Sequence, residues 1–157
     1  MQALLFFLAF AGFLLAAAHR DAASLRIPNG LTLAMAVAAF PAVVILGDGF
    51  TELPAHIGAG LAALLLGILL FSFGVLGGGD GKLIAAAALW LGPDATLRFL
   101  VLTAVFGAVL AVAVLALRPW AAGVRPTGAG LGREMPYAMA IAPAGLVALL
   151  LKPDFLG

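Results

Sequence analysis

Residues 57–82 read IGAGLAALLLGILLFSFGVLGGGDGK. Apart from Ser72, the run Ile57 to Leu76 is apolar or glycine. As a helix it is long enough for the roughly 30 Å of a bilayer's hydrocarbon core. It ends on Gly77-Gly78-Gly79-Asp80-Gly81-Lys82, where four glycines surround one carboxylate. A membrane-spanning helix that delivers an aspartate to the membrane edge is the element around which the rest of the chain is read.

Composition extends this reading to the whole molecule. Of 157 residues, 65% are hydrophobic and 10% are charged, with mean hydropathy +1.23. A soluble domain is about half apolar and a quarter charged. In lipid the backbone must satisfy its own hydrogen bonds, so an apolar chain without a barrel's alternation folds as helices. The expectation is a polytopic all-α bundle forming one domain over residues 1–157, with the bilayer as its surroundings. The absence of cysteine removes disulfides, thiolate zinc sites and cysteine nucleophiles together. A net charge of +1 gives no basis for binding nucleic acid, and neither composition nor charge sets an oligomeric state.

Six apolar segments follow one another: Ala3 to Ala18, Leu31 to Leu46, Ile57 to Leu76, Leu83 to Leu91, Phe99 to Leu117 and Tyr137 to Leu151. The first lacks a positive n-region, and its arginines, Arg20 and Arg26, follow the apolar run. It therefore reads as a transmembrane helix, not a cleaved signal peptide. The fourth is short, about 14 Å as a helix, or roughly 21 Å if it begins at Gly78, which leaves a re-entrant segment open.

Cytoplasmic loops are enriched in Lys and Arg, so charge arbitrates. With six crossings the inner face collects Arg20, Arg26, Lys82, Arg118, Arg125 and Arg133, leaving Arg98 and Lys152 outside. Without a fourth crossing the bias falls to five against three. Six transmembrane segments with both termini outside is the expected topology. Asp48, Glu52, Asp94 and Asp154 then lie outside, while Asp21 and Asp80 share the cytoplasmic face. The basic loop Arg118 to Met135 reads as topogenic charge, with anionic head groups as the sharper alternative.

The chain around the first aspartate reads Asp21-Ala22-Ala23-Ser24-Leu25-Arg26-Ile27-Pro28-Asn29-Gly30. Pro28 disfavours helix at Ile27, and Asn29 and Gly30 tolerate a turn. Helix one should end near Asp21 and helix two begin near Pro28. The glycines around Asp80 give a backbone that other groups, a substrate strand included, can approach closely. Bland roles exist for each carboxylate: Asp21 as a helix-end charge paired with Arg20 or Arg26, Asp80 as the N-cap of a helix beginning near Lys82. Jointly these readings weaken, because ionisable groups in a membrane bundle are costly and mark function.

These residues resemble the type IV prepilin peptidases, in particular the short form of Flp/Tad-type pilus systems. Asp21 through Asn29 matches an aspartate followed by Ile-Pro-Asn. Gly77, Gly79, Asp80 and Lys82 match G-x-G-D-x-K, and Met135-Pro136-Tyr137 opens the last helix where that family often has Pro-Tyr or Pro-Phe. Ala138 stands where glycine is frequent.

The resemblance implies an aspartic endopeptidase in the bacterial inner membrane that removes the basic leader of prepilins or pseudopilins. Asp21 and Asp80 are its catalytic pair; Gly77, Gly79, Lys82, Arg26, Pro28 and Asn29 support the site. Two carboxylates sharing a site cannot easily both ionise. One then takes a proton from the attacking water while the other donates to the carbonyl oxygen. No metal or cofactor is required. Larger relatives carry a cysteine-rich zinc insertion and many also methylate the new pilin N-terminus; without that insertion, peptidase activity alone is expected here.

Presenilin-type proteases pair G-x-G-D with Tyr-Asp, which this chain lacks. A small proton- or cation-coupled transporter component using Asp21 and Asp80 is the alternative of a different class, but transporter carboxylates lie near the bilayer midplane. His56 falls on the outer side, away from the pair. The glycine pairs 60/67 and 74/78 read as close helix packing, and Ser72 as a donor to a neighbouring carbonyl.

Overall fold

A computed structural model describes residues 1–46, 49–117 and 136–152. Asp48, the basic loop from Arg118 to Met135 and Asp154 lie outside the described residues. The described chain is helical, with no strand: α1 (Gln2–Ser24), α2 (Asn29–Pro41) running into a π turn (Ala42–Leu46), a 3₁₀ turn (Phe50–Glu52), α3 (Leu53–Ser72), α4 (Gly78–Leu117) and α5 (Ala138–Leu150). Gln2–Ser24, Phe50–Ser72 and Gly78–Ala116 are long and apolar enough to cross a membrane, and two shorter apolar helices accompany them.

α4 is not one straight rod. Gly92 sits at φ 71°, ψ 178°, outside helical geometry, and the next residue, Pro93, supplies no N–H to bridge the break. Before the break, Gly81 lies on Gly67 and Leu89 on Gly60, so this half runs antiparallel to α3. The break itself lies against His56, near the start of α3, and Pro93 to Leu100 then line a groove with Ala55 to Leu66, so the chain turns back along α3. The halves therefore run in opposite directions. Six helical segments result, matching the six apolar runs in number and order. The fourth begins at Gly78, earlier than its apolar run.

The first half of α4 is the bundle's centre. Leu83 to Ala88, Trp90 and Leu91 are all buried. Alanines here, with Gly60 and Gly67 opposite, let backbones approach as membrane helices require. A Cβ on Gly67 would come within 2.9 Å of Gly81 Cα. Gly60 and Gly67 thus serve α3–α4 packing as expected. Gly74 does not: it has nothing within 4 Å and sits at φ +71° in the turn after α3, where a left-handed conformation calls for glycine.

Trp90 fastens α1 and α2 to this centre. Its ring meets Phe6, Phe10 and Phe13 at centroid distances of 5.1, 5.6 and 6.1 Å, and its Nε1–H donates to the Met35 carbonyl at 2.9 Å. Leu4, Leu8, Leu15, Leu65, Leu69, Val101, Val105 and Val109 remain exposed. So much outward apolar surface suits lipid, not water.

Candidate active site

The ends of α1, α2, α3, α4 and α5 meet at one end of the bundle. α1 runs to Ser24, three residues past the expected end, so Asp21 lies inside its last turn; Leu25 closes the helix in a left-handed conformation, φ 51°, with its N–H donating to the Asp21 carbonyl at 2.7 Å. α2 starts at Asn29 with Pro28 as its N-cap residue, as the Ile-Pro-Asn turn implies.

Asp21 is only 5% exposed. A carboxylate this buried needs donors, and one comes from far along the chain: the Ala138 N–H at the start of α5 donates to Asp21 Oδ2 at 2.9 Å. That amide is among those a helix leaves unpaired at its N-terminus. Arg20 and Arg26 are exposed, and among the described residues neither pairs with Asp21. The helix-end ion pair is therefore not formed.

Asp80 stands in the first turn of α4 and uses its two oxygens differently. Oδ2 crowds Gly77, whose N–H hydrogen-bonds the carboxylate, the back-reaching half of a capping box. Oδ1 is a buried atom with no hydrogen-bond partner among the described residues. Asp80 is therefore not the N-cap of a helix beginning near Lys82: the helix starts at Gly78, and the carboxylate caps from inside its first turn with one oxygen only. The Asp21 charge acts on Asp80, and the Asp80 charge acts on Tyr137, so both carboxylates and the start of α5 share one electrostatic neighbourhood.

The other expected residues fall around this pair. Gly79 packs on Ile27, Cβ to Cβ position 3.3 Å, and Gly78 on the Phe71 ring at 3.5 Å. The glycine string is thereby occupied by the chain's own side chains. Lys82 is two residues beyond Asp80, about 200° round the helix, and its Nζ donates to Asn29 Oδ1 at 2.9 Å. The two motifs are tied together by Ile27 on Gly79 and by Asn29 with Lys82. Lys82 makes no ion pair with Asp80. Asn29 and Lys82 border a groove of about 510 Å³ between α2 and α3, floored by Ala85, Ala86 and Leu89.

Away from this end, His56 is buried, its Nδ1 2.7 Å from the Leu89 carbonyl and its ring filling the space beside Gly92. It holds the break in α4 and is remote from the pair. Ser72 Oγ donates to the Leu69 carbonyl at 2.7 Å, as its place in an apolar span implies. Among the described residues no group of three His, Cys, Asp or Glu could hold a metal ion. Two contributors carry no signal in the sequence: the Ala138 amide, because any non-proline residue has one, and Gly107, which receives the tip of the Tyr137 ring.

No curated protein and no solved structure gives a significant match. A family model does: that of the type IV leader peptidase family matches residues 8–112. The matched stretch carries both aspartates and the two motifs tied together at this end of the bundle, and it spans more than half of the chain. The chain belongs to the type IV leader peptidase family.

Proposed function

We propose that this protein is an aspartic endopeptidase of the bacterial inner membrane that removes the basic leader from Flp-type prepilins or pseudopilins at the cytoplasmic face, with Asp21 and Asp80 as its catalytic pair. The observation that carries the reading is their convergence. A buried carboxylate, Asp21, and a half-buried one, Asp80, both within the matched region, reach one end of the bundle, with Asp80 in the field of Asp21, and Asp80 Oδ1 is a buried atom with no hydrogen-bond partner among the described residues.

The chemistry follows from what two such carboxylates can do. The ionised member takes a proton from a water, whose oxygen bonds to the scissile carbonyl carbon. The protonated member donates to the carbonyl oxygen. Collapse of the tetrahedral intermediate breaks the C–N bond as a carboxyl proton passes to the leaving nitrogen. The acid and base roles belong to the pair as a unit.

Six crossings with both termini outside put this end of the bundle in the cytoplasm, on the side of the basic leader. The substrate's apolar helix stays in the bilayer. Carboxylates at helix ends favour a peptidase over a transporter, whose sites lie at mid-membrane. Co-expression with a Flp-type prepilin tests the reading: a mass shift equal to the leader is expected with the wild type. An unprocessed prepilin beside correctly inserted protein refutes it.

A further inference from the structure

We propose that Tyr137 is a positioning residue for Asp21, its ring seated in a notch left by Gly107 so that the start of α5 presents the Ala138 N–H to the carboxylate. The proposal rests on reading Asp21 as a member of the catalytic pair.

Asp21 is buried, and its described hydrogen bond is the one from Ala138. The orientation of its carboxylate therefore depends on where α5 begins. Nothing on α1 substitutes, since Arg20 and Ser24 are exposed and the Ser24 hydroxyl bonds the Arg20 carbonyl at 2.9 Å. Tyr137 is the N-cap residue of α5, has helical φ and ψ, and makes no side-chain cap bond. Its ring does something else. A Cβ on Gly107 would stand 2.6 Å from Tyr137 Cζ, closer still to the hydroxyl.

Gly107 lies within the second half of α4, is buried, and has no positive φ. No turn or special backbone geometry calls for glycine there; the room for the ring does. Further along, α5 is held by a second contact of the same kind, Gly145 against Leu14 and Phe10 of α1. Two glycine notches thus seat α5: Gly107, on the half of α4 after the break, receives the ring at its start, and Gly145 meets α1, the helix that carries Asp21, in its middle. The Tyr137 ring is also within the field of Asp80, which places the seat beside the pair.

The test compares Tyr137→Phe, Tyr137→Ala, Gly107→Ala and the double variant Gly107→Ala/Tyr137→Ala in the full-length protein in lipid vesicles. Readouts are kcat and KM for prepilin cleavage, and the infrared carboxyl band of Asp21, assigned by its loss in Asp21→Asn. Tyr137→Phe keeps the ring in its seat and should retain wild-type kcat and band. Tyr137→Ala and Gly107→Ala should each lower kcat by up to about a hundredfold, the effect of an ångström-scale misplacement, with KM little changed and the band shifted. The double variant should lose no more than Tyr137→Ala.

A loss in Tyr137→Phe equal to that in Tyr137→Ala overturns the proposal, since the hydroxyl and not the seat would then matter. So does a Gly107→Ala protein with unaltered kcat and band. A wild type that leaves prepilin uncut refutes the proposed function instead, and the band alone then decides whether the seat exists.

Discussion

Asp80 divides its carboxylate between structure and an unmet need. Oδ2 is held at Gly77, and Oδ1, a buried atom, is left unpaired among the described residues, a cost that a purely structural cap need not bear. Gly77→Ala tests the division, because its Cβ would lie 2.6 Å from Oδ2 and must turn the carboxylate. Cleavage should fall by about tenfold or more, within the range for misplaced catalytic groups, while the amount of inserted protein on an immunoblot stays constant. An unchanged rate would mean that the orientation of Asp80 is immaterial. Both aspartates were legible in the sequence because carboxylates stand out in apolar surroundings. Their donors were not: backbone amides have no residue signature, and the partner of Asp21 comes from 117 positions away.

At the scale of elements, packing is set by where side chains are missing. Gly67 faces the Gly81 backbone, which cannot swing aside. Gly67→Val should push α3 from α4 and cost about 1–3 kcal/mol, as overpacking does, seen as a lower Tm in detergent. Gly58→Ala on the same helix, with nothing within 4 Å, should leave Tm unchanged or raise it slightly through backbone entropy. Equal effects of the two would remove the argument for close contact. The apolar runs showed how many helices there are and in what order. Their ends were less legible, because capping and packing decide them: Pro54 lets α3 begin at Leu53, ahead of its apolar run, and Gly74 lies in the turn that follows Ser72. The bond from Lys82 to Asn29 was equally hidden, since helical spacing shows only that Lys82 faces away from Asp80.

For the whole molecule, the start of α4 and the end of α1 come together at one end of the bundle, and the proposed topology assigns that end to the cytoplasm. The cysteine-free chain allows a direct check with single cysteines and an impermeant maleimide. Gln2→Cys should label from outside intact cells, and Ser24→Cys and Val75→Cys only in inverted vesicles. Labelling of Ser24→Cys from outside would reverse the topology and remove the pair from the leader's side. The central claim, that Asp21 and Asp80 together cut the leader, is tested most directly by prepilin cleavage with purified Asp21→Asn and Asp80→Asn proteins. Each should lose at least about a hundredfold in rate, the scale of a lost general acid or base, with Tm near that of the wild type. Wild-type cleavage by either variant would contradict it.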